Sequence, residues 1–143
     1  MMKKPIVLFV RGEQAYDGVE PETTELMTEG LMEMDGGKIV LSYEETELTG
    51  MKGTTTRFVI EGDTVVLERA GMIQSQMVFE QGKRSSSLYE TPWGTMVVDV
   101  ATTRLARRID ERGGVMDIGF TIAVNHQVTG ENRFKVRVRE AAR

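Results

Sequence analysis

Turn signals recur along this chain at a spacing that leaves room for little except short β-strands. Asp35-Gly36-Gly37, Glu61-Gly62-Asp63, Gln81-Gly82-Lys83, Pro92-Trp93-Gly94, Arg112-Gly113-Gly114 and Thr129-Gly130-Glu131-Asn132 punctuate the sequence through residue 140. Glycine and asparagine supply the positive φ that tight hairpins require, and alternating apolar and polar residues lie between these signals. A run of hairpins makes a meander. Its two outer strands would expose a row of unpaired N–H and C=O groups unless the sheet closes on itself. A closed sheet has an interior, which side chains fill or a ligand occupies.

The alternation can be followed strand by strand. Ile6, Leu8 and Val10 alternate with Val7 and Phe9 in a strand apolar on both faces, after which Tyr16-Asp17-Gly18 forms a turn. Residues 22–34 are ambiguous. Leu26, Met27, Leu31 and Met34 fit a helical stripe, whereas Gly30 and the hairpin signal at Asp35 favour a strand. Further on, Ile39, Leu41 and Tyr43 share a face, and three threonines precede Phe58 and Ile60. Val65 and Leu67 lie on the face of Arg69; Ile73, Met77 and Phe79 share the next, and Met96, Val98 and Val100 another. Leu105 and Ile109 alternate with Arg104 and Arg108. Met116, Ile118, Phe120, Ile122 and Val124 give the cleanest alternation, and Phe134, Val136 and Val138 oppose Arg133, Lys135, Arg137 and Arg139. About ten strands at a spacing of roughly ten residues predict an all-β barrel or sandwich.

Size and charge narrow the partners. At 143 residues the chain is expected to be one domain, 1–143. It has no cysteine, which excludes disulfides, zinc–thiolate sites and cysteine nucleophiles. No apolar run is long enough to span a membrane, and Arg11, Glu13 and Asp17 follow the short run at residues 5–10 too closely for a signal peptide. These features point to a cytoplasmic protein. Residues 1–68 carry 6 Lys/Arg against 14 Asp/Glu, while residues 101–143 carry 9 against 5. That asymmetry fits acidic early strands beside basic late ones at a barrel seam, and an overall pI near 5.1 makes nucleic acid an unlikely partner.

The ordered set Gly53-Thr54-Thr55-Thr56, Leu67-Glu68-Arg69-Ala70-Gly71, Phe79-Glu80-Gln81-Gly82, Tyr89-Glu90-Thr91-Pro92-Trp93-Gly94, Thr103-Arg104-Leu105 and Gly113-Gly114 resembles the YwiB-like bacterial proteins, a family of unknown function. Val10-Arg11-Gly12 and Leu41-Ser42-Tyr43-Glu44-Glu45 fit it as well, so the resemblance spans nearly the whole chain. The family corner reads Thr-Pro-Phe-Gly, and Trp93 departs from it conservatively. The resemblance implies a single antiparallel up-and-down barrel of calycin-like (lipocalin-like) type with about eight to ten strands. It also implies that the stretch around Met27 is strand. It implies no catalytic residues.

Chemistry-bearing residues are few. His126 is the lone histidine, and neither a metal site nor a cofactor is signalled. A Ser–His–Asp relay from Ser42 or residues 85–87 with Asp99 or Asp117 has no nucleophile-elbow sequence behind it. Gly50-Met51-Lys52-Gly53-Thr54 has the wrong order for a phosphate loop. Arginines on apolar strand faces are more telling, since a buried guanidinium must be paired or must meet a ligand. A lumen holding Arg57, Arg69 or Arg104 with Tyr43 and Tyr89 would suit a small anionic or amphipathic molecule, with Trp93 as a lid or as a plug over the core. The ten methionines suit either an adaptable cavity or an irregular core. The basic ladder on the last strand is expected to be a solvated face that pairs with Glu25, Glu29 and Glu33. Two readings follow. One is a non-enzymatic binding barrel for a small apolar or weakly anionic ligand. The other is an interaction module with a packed core, whose partner is another protein or a second copy.

Overall fold

Five of the six glycine-bearing hairpin signals lie between two antiparallel strands. The sixth, Thr129-Gly130-Glu131-Asn132, falls inside the last strand at a bulge between Val128 and Gly130, and the turn itself is Asn125-His126. The computed structural model describes residues 2–15 and 20–141; the expected turn at residues 16–18 lies outside them. The described residues form β1 (Met2–Ala15), β2 (Glu22–Asp35), β3 (Lys38–Glu44), β4 (Thr54–Glu61), β5 (Thr64–Gly71), β6 (Gln74–Phe79), β7 (Arg84–Thr91), β8 (Gly94–Asp110), β9 (Gly113–Val124) and β10 (Gln127–Glu140). Each strand pairs antiparallel with its neighbours in sequence, and β1 also pairs with β10 through Leu8↔Val138 and Val10↔Val136, so the up-and-down sheet closes. No helix among the described residues is long and apolar enough to cross a membrane.

The ambiguous stretch 22–34 is strand β2, paired along its length with β1. Gly30 belongs there for a packing reason. A Cβ at that position would come within 2.4 Å of the Ser42 carbonyl oxygen and 2.6 Å of Leu8 Cδ1. Its absence lets β1 and β3 close over β2. Gly114 has φ 143° and would place a Cβ 1.8 Å from the Arg108 carbonyl oxygen, so the β8–β9 pairing requires glycine.

The interior has two halves. At one end Ile6, Leu8, Met32, Leu41, Phe58, Ile60, Val65, Leu67, Met116, Ile118, Val136 and Val138 are buried and packed together. Aromatic rings floor this packed half: Phe79 meets Phe120 with centroids 4.8 Å apart, Phe120 meets Phe134 at 5.5 Å, and Phe134 meets Phe58 edge-on at 6.3 Å. Beyond that floor, toward the ends of the odd-numbered strands and the starts of the even-numbered ones, the inward residues become shorter or polar.

The charged ladder lies outside, with a different partner from the one the sequence suggests. β1 intervenes between β10 and β2, so Glu25 meets Arg11 and Glu33 meets Lys3 on β1, and neither reaches the basic ladder. Arg133 instead turns to β9. Its Nε and Nη2 donate to Asp117 at 2.8 and 2.6 Å, and Arg104 Nε on β8 donates to the same carboxylate at 3.3 Å. Asp117 thus ties three strands together on the outer wall. The Arg133 hydrogen bonds hold its carboxyl below the usual aspartate range, against a partial desolvation that pushes the other way. A depressed folded pKa means that this contribution is fully present above the unfolded value of ~3.9 and is lost as pH falls through the folded one. Asp117→Asn should therefore cost about 0.5–1 kcal/mol at neutral pH, because solvent screens the site. In urea unfolding followed across pH, the gap to wild type should close toward pH ~2; a gap independent of pH would contradict the assignment.

Candidate functional site

The half of the barrel beyond the aromatic floor holds a cavity of about 580 Å³. Its wall is built from the ends of β1, β3, β5, β7 and β9 and the starts of β2, β6, β8 and β10, and the β3–β4 loop contributes Thr49 and Met51. Val10, Leu26, Val98 and Ile122 supply branched apolar surface, and Met51, Met77 and Met96 add flexible thioether side chains.

Along this side of the barrel five inward positions are polar and adjacent across the sheet, and Tyr43, Arg69 and Tyr89 among them line the cavity. Thr56 on β4 faces Arg69 on β5, Arg69 faces Ser75 on β6, and Ser75 faces Tyr89 on β7. On the other side of Thr56 stands Tyr43 on β3. One cross-strand row therefore reads Tyr43, Thr56, Arg69, Ser75, Tyr89, with Arg69 in the middle. Two residues past Tyr43, Glu45 is held inward by its N–H, which donates to the Thr54 carbonyl at 2.8 Å. Its carboxylate is 5% exposed and accepts from Thr49 Oγ1 at 2.7 Å and Thr56 Oγ1 at 3.0 Å. The loop over this end of the barrel is thereby tied to a buried acid.

The electrostatics follow from burial. Desolvation pushes the Tyr43 phenol well above the ordinary tyrosine range. The Glu45 charge and hydrogen bond push the same way, while Arg69 pulls against them. Tyr43 is therefore a neutral hydroxyl donor at any ordinary pH. Glu45 spends its oxygens on Thr49, Thr56 and Tyr43, and Arg69 forms no ion pair among the described residues. Arg69 Nε and Ser75 Oγ are both buried and have no hydrogen-bond partner among the described residues. Leaving each such group unmatched costs about 1–3 kcal/mol, and few native folds keep a neighbouring pair of them without use. A guanidinium N–H and a serine hydroxyl side by side in one row make a donor set suited to an oxyanion.

The other residues singled out in the sequence lie elsewhere. Arg57 is outside the barrel: Phe58 and Ile60 take the inward face of β4, and Arg57 pairs with Glu68 at 3.2 Å. Arg104 is also on the outer wall, on Asp117, because a bulge between Thr102 and Arg104 reverses the alternation of β8 there. Trp93 stands at the cavity's end of the barrel but is 85% exposed and not part of its lining, so it neither plugs the core nor covers the cavity. His126, in the β9–β10 turn, places Nδ1 3.2 Å from Asp99, and Ser86 donates to the other oxygen of that carboxylate. The aspartate thus separates serine from histidine, which is the wrong order for a nucleophilic relay. Among the described residues no three His, Asp or Glu side chains gather as metal ligands. Glu45 and Ser75 went unremarked in the sequence. Ser75 could have been found by folding the β5–β6 hairpin about Met72, which brings it opposite Arg69.

Thr56→Val, which keeps the shape and removes one donor from the buried carboxylate, should cost about 1–3 kcal/mol in urea unfolding. Thr55→Val removes a donor to the exposed Glu44 on the outer face and should cost only a few tenths. Equal losses would mean that Glu45 is not a buried anchor.

Comparison with known proteins supports the fold. The crystal structure of the YwiB protein from Bacillus subtilis superposes with a TM-score of 0.86 at 20% identity, covering 98% of this chain and 94% of that one. No curated protein matches the chain. The family model described as "Domain of unknown function (DUF1934)" matches residues 9–136. Most of the barrel and all of the cavity wall fall within that match, and the chain belongs to this family.

Proposed function

We propose that the protein is a cytoplasmic, non-enzymatic binding barrel whose open half holds one small molecule with an oxyanion head and an apolar body. The observation that carries this reading is the pair of buried polar atoms unmatched among the described residues, Arg69 Nε on the wall of the chamber and Ser75 Oγ beside it on the next strand. A volume of about 580 Å³ lies within the range of small-molecule sites, which combine apolar walls with a few convergent polar groups. The head group accepts from Arg69 and Ser75. The apolar body lies along Met77, Met96 and Ile122, where the methionines adapt to its shape. A wholly packed interior suits the far half of the barrel and leaves Arg69 without a purpose in this one.

Medium-chain carboxylates and alkyl sulfonates are the probes, titrated by isothermal calorimetry. Wild type should bind at least one series with an affinity that rises with chain length, by about 0.8 kcal/mol per buried methylene until the chamber is full. Arg69→Met should weaken binding at least ~10-fold, as expected for loss of a charge-assisted hydrogen bond, and Arg57→Met on the outer wall should leave it unchanged. Equal binding by Arg69→Met, or no binding of either series by wild type, would refute the proposal.

A further inference from the structure

The outer wall formed by β2, β1, β10, β9 and β8 breaks the rule that a barrel's solvent face is polar. The registers place Met27, Phe9, Arg137, Val115 and Arg108 in a single row across these five strands. Met27 is 65% and Val115 50% exposed, and together with Phe9 they floor a groove of about 1060 Å³. An exposed apolar strip with a polar rim marks a surface that meets another molecule.

The rim gives that molecule's charge. Glu25 and Asp117 in the groove are already engaged, the first by Arg11 and the second by Arg133 and Arg104. Arg108, Lys135 and Arg137 are exposed and form no ion pair among the described residues. Arg139 lies at the same edge with its guanidinium 5.8 Å from the centre of the Phe9 ring. A chain of net charge −4 thus concentrates unneutralised cations at and beside the exposed apolar residues of one row, with Arg137 between Phe9 and Val115. Four inter-strand gaps of ~4.8 Å make the row about 19 Å long, the length of roughly 13 helical residues.

From this juxtaposition we infer that the groove docks an acidic amphipathic segment of a partner protein. Its apolar face rests on Phe9, Met27 and Val115, and its carboxylates meet Arg108, Lys135 and Arg137. A nucleic acid would use the cations but not the apolar strip, and base stacking needs an open aromatic face, whereas Phe9 is half-buried beside Arg139. The groove lies on the outer surface of the wall whose inner surface bounds the chamber, and the two share Val10 and Leu26 in their linings.

The test is a selection of random peptides of about 16 residues, enough to cover the row as a helix, displayed against the full chain. Enriched sequences should combine Asp and Glu with aliphatic or aromatic residues at helical spacing. Synthesised as fluorescent peptides, they should bind the double variant Arg108→Glu, Arg137→Glu at least ~10-fold more weakly in anisotropy titrations. A scramble of the same charge should lose as much, and Arg84→Glu on β7 should bind as wild type. Should the double charge reversal fail to fold by circular dichroism, Arg108→Gln with Arg137→Gln is read in the same way, with a smaller loss. Failure to enrich any sequence would overturn the inference, as would non-acidic winners or winners indifferent to both double variants. So would a single-stranded RNA oligonucleotide that binds more tightly than the winners and is weakened by the same substitutions.

Discussion

The pairing of the first strand with the last is the contact on which the rest of this structure depends. Without β1↔β10 the meander would be a ten-stranded open sheet with two long edges, one apolar on both faces. With it, every strand among the described residues has two neighbours and the sheet acquires an inside. Closure also decides which charges meet. It brings β10 against β1, leaves Asp117 to bridge β8, β9 and β10, and joins five long strands into one outer wall with a basic rim.

What the barrel does with its inside differs between its two ends. Branched and aromatic side chains fill one half to a floor of phenylalanines. In the other half, the same inward positions carry threonine, arginine, serine and tyrosine, with a glutamate buried beside them. Burying charge is expensive, and a protein selected for stability alone would replace these residues with valine and leucine. Glu45 returns part of that cost by holding the β3–β4 loop through Thr49, while Arg69 Nε and Ser75 Oγ return none among the described residues. An unrecovered cost at adjacent positions, facing a chamber of ligand size, is the physical link between this fold and a binding function.

Much of this was legible in the residues because hairpin turns and period-two alternation are local signals. The turns at Gly36, Gly62, Gly82 and Gly113 fall where the strands end, and Tyr43, Arg69 and Tyr89 lie on the faces that their neighbours Leu41, Leu67 and Met96 draw inward. Local alternation misplaces Arg57 and Arg104, and leaves residues 22–34 open, because a second condition intervenes at each. Arg57 has valine on its own face, and only the larger Phe58 and Ile60 decide which face of β4 turns in. Arg104 would follow Val98, Val100 and Thr102 inward were it not for the bulge that inserts one residue. Residues 22–34 fit a helical stripe until two neighbouring strands claim their backbone hydrogen bonds. The Arg69–Ser75 adjacency is a property of register, visible only once the hairpin is folded.

Native mass spectrometry of the protein isolated gently from its own cells, beside a denatured control and the Arg69→Met variant, tests the central claim most directly. The account predicts a stoichiometric adduct on wild type, made of a small molecule with an acidic oxygen group, that is released on denaturation and absent or sharply reduced on Arg69→Met. A bare polypeptide mass for both proteins, or an adduct carried equally by the variant, would contradict it.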